Sequence, residues 1–323
     1  MTIKAIYILS NLIMSISWSL GYKIILFISI TFLCSININP QQKTESDNQD
    51  VYGVAFLRTM FLNADYNDAK AAIKVYVQNL QDQLLTGFSM RPVYFENTDD
   101  LLRNYAKENL AVVSLSSVDY LAYKSKLMLN PVLVNSGKTD PMETYLILIR
   151  KDEKINGSED LTDMKFGMLP KENDPIPIMW LNVLLSSGRT AKTDKPFSNI
   201  VADKSESQLI LSLFFGKLNA CLVSKTAYET MVEINPQIGI RLKVLNSSPR
   251  YLRIVASFTS KFKKSRYSET LLQHLTSLEN YAAGRQLFAL TKTAKIVPFK
   301  EEYLENVKAL VSDYNKITKH LIK

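Results

Sequence analysis

The residues of this chain that could do chemistry are hydroxyls, amides and cations set beside short apolar runs. Arg58 and Thr59 follow V-Y-G-V-A-F-L, Asn97 follows the run ending at Phe95, and Ser116, Ser117 and Tyr120 follow L-A-V-V-S-L. Lys171 and Asn173 come after K-F-G-M-L. Lys204, Ser205 and Ser207 precede L-I-L-S-L-F-F, and Ser224 closes A-C-L-V-S. In an open α/β sheet, ligands sit outside the carboxyl ends of the strands. Helix N-termini at those ends present unpaired N–H groups and a partial positive charge, which suits an anion. Such a set binds rather than catalyses. Ser116 and Ser205 also serve as helix caps with or without a ligand. Glu96, Glu172 and Glu206 lie among these donors and oppose an anion, because a carboxylate in a helix's first turn already offsets its dipole.

Catalytic constellations are missing from the sequence. His274 and His320 have no Cys, His or Glu neighbour at metal-ligand spacing. There is no G-x-S-x-G, no P-loop and no dinucleotide fingerprint, and 10 glycines in the whole chain are too few for a glycine-rich cradle. No cofactor and no metal is expected. The cysteines are Cys34 and Cys221, so no disulfide framework exists. Cys221 lies in the run Ala220-Cys221-Leu222-Val223 and is expected to be a buried structural thiol; an enzyme reading would require it to be reactive.

The elements that position these residues alternate short apolar runs with amphipathic stretches, the pattern of an α/β protein. Strands are expected at 51–57, 90–95, 110–115, 127–135 and 143–150. A long helix is expected through Ala69, Ala72, Ile73, Tyr76, Val77, Leu80 and Leu84, and another over 99–107. A second unit then offers a capped turn at 158–161, strands at 165–169, 200–201, 218–223 and 240–245, and helices at 178–187, after Ser205, and at 225–232. Ser205 to Gln208 has capping-box spacing. Residues 251–258 read as a returning strand, and 264–323 as helical. The chain is expected to cross between the units near 147–151 and 249–253.

The formal charge is +8. A basic surface suits an anionic ligand, an anionic membrane or nucleic acid. The cations are scattered except for Lys261, Lys263, Lys264 and Arg266, which fit a solvated helix start better than a nucleic-acid patch. Residues 24–36 form an apolar core after Lys23, shorter than the roughly 20 apolar residues of a membrane span. The expected reading of 1–36 is a signal peptide or membrane anchor, with Met14 as an alternative start. Cleavage, retention and lipid attachment at Cys34 remain open. Residues 37–50 are expected to be a polar, disordered linker.

The runs V-Y-G-V-A-F, A-V-V-S-L-S-S-V-D-Y-L-A, Y-L-I-L-I-R-K-D followed by S-E-D-L-T-D-M-K-F-G-M, and S-E-S-Q-L-I-L-S-L-F-F-G-K-L-N-A-C-L-V-S occur in an order that carries a resemblance. Over roughly 51–300 the chain resembles the type II periplasmic solute-binding proteins, in particular the phosphate/phosphite/phosphonate-binding family of ABC importers. The resemblance implies a two-lobe α/β fold with a hinge of two crossing strands. Lobe 1 would be 51–148 plus 252–323, and lobe 2 would be 149–251. It also implies a receptor, not an enzyme, that holds a small anionic ligand between lobes and delivers it to a membrane permease. The receptor would be a periplasmic monomer with no nucleic-acid partner. By position Tyr120 resembles the family's aromatic after the third strand, and Ser205 and Ser207 its helix-start contacts. The family's Ser-Thr-Ser-Gly-type loop is replaced here by L-P-K-E-N-D-P-I-P-I, and an Asp after the Gly-Lys turn by Asn219. A membrane-associated sensory or interaction module that keeps the fold without transport is the alternative.

Overall fold

A computed structural model describes residues 50–61, 66–84, 87–137, 140–161, 164–170, 174–187, 199–203, 205–291 and 293–321. The expected leader and linker at 1–49 lie outside the described residues. Among the described residues, eleven strands fall into two sheets. The first contains β1 (Asp50–Leu57), β2 (Phe88–Phe95), β3 (Leu110–Ser116) and β4 (Leu129–Ser136). The second contains β5 (Met142–Arg150), β6 (Lys165–Met168), β7 (Asn199–Ala202), β8 (Ala220–Ser224) and β9 (Leu242–Leu252). β10 (Ile254–Thr259) and β11 (Lys295–Pro298) return to the first sheet. The spatial orders are β11-β4-β10-β3-β1-β2 and β7-β6-β8-β5-β9. β1 runs parallel to β2 and β3, and β6 parallel to β7 and β8, while β10 and β5 pair antiparallel with their neighbours.

Strand alternation sorts the apolar residues onto two faces. On β5, Tyr145, Ile147 and Ile149 enter one cluster while Leu146 and Leu148 enter another with Leu209, Ile210, Leu213, Leu218 and Cys221. On β1, Tyr52, Val54 and Phe56 join an aromatic cluster with Phe88, Phe258, Phe262 and Tyr267, whereas Ala55 and Leu57 face the other way. The cluster holding Ala55 and Leu57 also holds Tyr145, Ile147, Phe166, Trp180, Val307 and Leu310, so one continuous apolar core joins the two sheets. The C-terminal helix Glu305–Leu321 belongs to it. That helix packs on the helix Pro175–Ser187 and on β9, and also touches the helix Ser117–Tyr123 that follows β3. Gly167 on β6 is required by close packing: a Cβ there would lie 2.4 Å from Leu218 Cδ1 and 2.9 Å from Leu209 Cδ2.

The first crossing and the C-terminal region differ from the sequence reading, while the second crossing agrees with it. β5 pairs with β8 and β9, so the chain leaves the first sheet between Ser136 and Met142 and not at 147–151. The apolar run 145–149 reads the same in either sheet, and only its partners decide its place. The second crossing falls inside the expected 249–253, at Arg253 between β9 and β10. The region 264–323 is not wholly helical, since Lys295–Pro298 pairs antiparallel with β4. No helix among the described residues is long and apolar enough to cross a membrane.

Candidate functional site

The strand ends decide where a site can form. β1, β2 and β3 finish at Leu57, Phe95 and Ser116, at the end of the first sheet where β10 begins. In the second sheet β8 finishes at Ser224 opposite Tyr145, near the start of β5 and the end of β9. Both links between the sheets therefore lie at strand carboxyl ends, and Arg253 is the residue of the second link.

Arg253 is held by its backbone and surrounded by acids. Its carbonyl accepts from Ser117 N–H at 2.8 Å, and the Ser117 hydroxyl donates to Leu252 O at 2.6 Å, which locks the link onto the helix Ser117–Tyr123. Its Nε donates to Asp174 Oδ2 at 3.2 Å, and the Tyr145 hydroxyl donates to the same oxygen. The other Asp174 oxygen accepts from Ile176 N–H at 3.0 Å, at the first turn of the helix Pro175–Ser187. Glu143 Oε1 accepts from Thr144 N–H at 3.0 Å and from Thr226 N–H at 3.4 Å. Glu206 Oε1 accepts from Ser224 N–H at 2.5 Å. The helix starts that would attract an anion are thus met by the chain's own carboxylates.

Titration follows from this geometry. Burial opposes the Arg253 charge, but Tyr145, Asp174, Glu206 and Glu143 outweigh it and hold the guanidinium more firmly protonated than an ordinary Arg. Its side chain is 45% exposed, so a solute reaches it from solvent. Burial, then the Asp174 charge, pushes the Tyr145 hydroxyl well above its ordinary value, keeping it a donor. Burial also raises the Glu143 carboxyl, against the Thr226 side chain, the Thr144 N–H, Arg253 and the Thr226 N–H, which lower it. A carboxyl raised in the folded state stabilises fully below its unfolded pKa and loses that contribution as pH rises through the folded value. Glu143→Gln is therefore expected to raise Tm at pH 7. The gain should vanish below the unfolded carboxyl pKa of about 4.3, where both chains are neutral at this position. Thermal melts at the two pH values check this, and a lower Tm at pH 7 contradicts it.

The structure distributes the residues singled out from sequence. Arg58 Nη1 pairs with Glu96 Oε2 at 3.0 Å, both side chains being 57% exposed, and its guanidinium lies 5.0 Å from the Tyr66 ring. Asn97 caps the helix Thr98–Asn104 by accepting from Asp100 N–H. Ser116 caps the helix Ser117–Tyr123 through Asp119 N–H, Ser205 caps Glu206–Phe214 through Gln208 N–H, and Ser224 caps Lys225–Ile234 through Ala227 N–H. Ser117 and Tyr120 are buried, and burial with the Glu301 charge raises the Tyr120 hydroxyl to about 12. Ser207 is exposed, and Thr59 lies in the turn Arg58–Phe61. Lys171, Asn173 and Lys204 lie outside the described residues. Cys221 is buried, and burial followed by the Glu206 charge pushes its thiol up. The sequence reading missed Arg253, Tyr145, Glu143 and Asp174. The signal available was position: Arg253 ends the expected second crossing, and Asp174 is one of the acids in the loop that departs from the family pattern.

The chain matches the family described as "ABC transporter, phosphonate, periplasmic substrate-binding protein" over residues 59–304. It belongs to this family. Its members are periplasmic substrate-binding components of transporters, and their task is to bind a solute for a membrane permease. Three solved structures share the fold. XAC2383 from Xanthomonas citri, bound to chloride, has a TM-score of 0.61 at 10% identity, over 84% of this chain and 99% of that one. PhnD1 from Prochlorococcus marinus, in complex with methylphosphonate, has a TM-score of 0.57 at 13% identity, over 83% and 99%. A binding protein component of an ABC phosphonate transporter from Pseudomonas aeruginosa has a TM-score of 0.55 at 12% identity, over 83% and 87%. No curated protein matches the chain by sequence. As a family member, the chain puts a carboxylate, Asp174, in the loop after β6.

Proposed function

We propose that this chain captures a small phosphonate-bearing solute between its two sheets, at Arg253, and hands it to the permease. The observation that carries the reading is the placement of Asp174: its carboxylate takes hydrogen bonds from Arg253 Nε and the Tyr145 hydroxyl. A phosphonate offers the same kind of acceptor to those donors. On this reading Asp174 is an internal stand-in that the solute displaces, so one anion replaces another on the guanidinium. The units 51–148 plus 252–323 and 149–251, with β5 counted in the second, would act as lobes that close on the solute. The protein would work as an exported monomer. Arg58, Thr59, Asn97, Ser116, Ser117, Tyr120, Lys171, Asn173, Lys204, Ser205, Ser207 and Ser224 remain proposed contributors around that point.

A second feature narrows the solute. Glu143 and Glu206 act on Arg253 together with Asp174, so among the described residues acids outnumber the cation there. This favours a phosphonate that also carries a cationic nitrogen. Calorimetric titration with methylphosphonate and with an aminoalkylphosphonate tests both points. Asp174→Asn is expected to tighten methylphosphonate by about tenfold, the low end of a charge-assisted hydrogen bond at ~1.4 kcal/mol. Weaker binding by that variant would remove the stand-in reading. Equal affinity for the two solutes would remove the need for a cationic nitrogen.

A further inference from the structure

The end of the first sheet opposite Arg253 carries a different surface. There β1 begins at Asp50, β2 at Phe88 and β3 at Leu110, and β10 ends at Thr259. The short helix Ser260–Lys263 and the turn after it cover these starts: Lys261 Nζ donates to Asn109 Oδ1 at 2.8 Å, and Asn109 Nδ2 donates to Val51 O at 2.8 Å. Arg266 donates to the Tyr267 hydroxyl at 2.7 Å, which in turn donates to Gly87 O at 3.0 Å. Lys261, Lys263, Lys264 and Arg266 are all exposed, as are Lys107 and Lys126 from the neighbouring turns. Among the described residues, the acids nearby are Asp50, Glu108, which pairs with Arg91, and Glu269, 3.8 Å from Lys263. Cations prevail on this face.

The same end has a depression and an apolar prominence. A cavity of about 350 Å³ is lined by Tyr105, Lys107, Asn109, Met128, Ser260 and Lys261, among others. Met128 is 63% exposed and has a left-handed backbone, φ 47°. For a non-glycine residue that conformation costs on the order of 1 kcal/mol and persists only where surroundings enforce it. Here Met128 O accepts from Ser260 N–H at 3.1 Å and from its hydroxyl at 2.8 Å. The Met128 backbone is thus held by Ser260, and its apolar side chain stands exposed at the cavity that Lys107 and Lys261 also line.

We propose that this face docks on an anionic phospholipid surface, with the lysines against headgroup phosphates and Met128 entering the interface. The arguments are charge complementarity and chain connectivity. Juxtamembrane basic clusters are drawn to anionic leaflets. The residues before Asp50, which include the apolar run 24–36, join the sheet at this same end. Docking here leaves the Arg253 end free for solute, so the inference stands independently of the solute reading.

The test uses the full chain with sedimented vesicles of pure phosphatidylcholine and of phosphatidylcholine with phosphatidylglycerol. Any contribution of residues 1–49 is common to the wild type and its variants. The expected result is at least tenfold stronger binding to the anionic vesicles, weakened by salt through screening. In the triple variant Lys261→Glu, Lys263→Glu, Lys264→Glu, affinity for the anionic vesicles should fall about a hundredfold, and the lipid preference should disappear. Met128→Asp should weaken anionic binding with the lysines intact, while Lys300→Glu, Lys308→Glu on the C-terminal segment should leave it unchanged. The proposal is overturned if wild type shows no lipid preference or if the triple variant keeps it. It is equally overturned if inorganic phosphate competes the vesicles away, or if the chain binds immobilised polyglutamate but not anionic vesicles.

Discussion

Arg253→Ala is expected to weaken methylphosphonate binding by roughly 150-fold, about 3 kcal/mol, the upper range for a hydrogen bond to a charged group. Arg253 pairs with Asp174, and the charges of Glu143 and Glu206 also favour its protonated form. Its removal takes away the donor and leaves three carboxylates without the charge that balances them. Repulsion of an incoming anion then adds to the lost bond. Arg253→Lys keeps the charge as a point on a flexible stem and loses the planar fork, so an intermediate loss of about tenfold is expected. Calorimetry on the three proteins decides: affinity within twofold of wild type in Arg253→Ala would show that the solute is held elsewhere. Stability should change less than binding, because the side chain is partly solvated and exposed ion pairs contribute about 0–1 kcal/mol.

Ending the chain at Leu304 is expected to abolish cooperative folding. The C-terminal helix contributes Val307 and Leu310, both buried, with Val311 and Tyr314 partly covered, to the core that joins the sheets. At about 1.5–3 kcal/mol for each fully buried side chain, their loss approaches a typical domain's whole stability of about 5–15 kcal/mol. It also uncovers the helix Pro175–Ser187, where Ile176, Met179, Trp180 and Leu181 are buried. Asn306 Nδ2, which donates to Arg250 O at 2.9 Å beside the second crossing, goes with it. Circular dichroism melts and binding of a hydrophobic dye check this. The milder Val307→Ala, Leu310→Ala variant should lose about 4 kcal/mol or more, from the usual cost of large-to-small core changes. A truncated chain that melts as sharply as the whole one would show the helix to be peripheral.

Much of this architecture is legible in the sequence because its signals are local. Ser116, Ser205 and Asn97 sit at helix starts because a side-chain oxygen and an N–H three residues on are all a cap needs. Short continuous apolar runs mark β1 and β5, which are buried on both faces, and the helical spacing of Ala69, Ile73, Tyr76, Val77 and Leu80 marks the helix Tyr66–Leu84, whose buried face they form. What stays hidden depends on partners far along the chain. Asp174 and Arg253 are 79 residues apart, and neither has a local pattern that announces the other. β11 has four residues and a terminal proline, too short for alternation to stand out within a helical neighbourhood. The sheet to which β5 belongs follows from its pairing with β8 and β9, which its composition does not encode.

The C-terminal helix also bears on when the chain becomes a finished object. Val307 and Leu310 follow every described strand of both sheets in the sequence, yet the core joining the sheets is incomplete without them. A polypeptide emerging from the ribosome therefore cannot seal this shared interior until the stretch carrying Val307 and Leu310 is available, after the strands of both sheets.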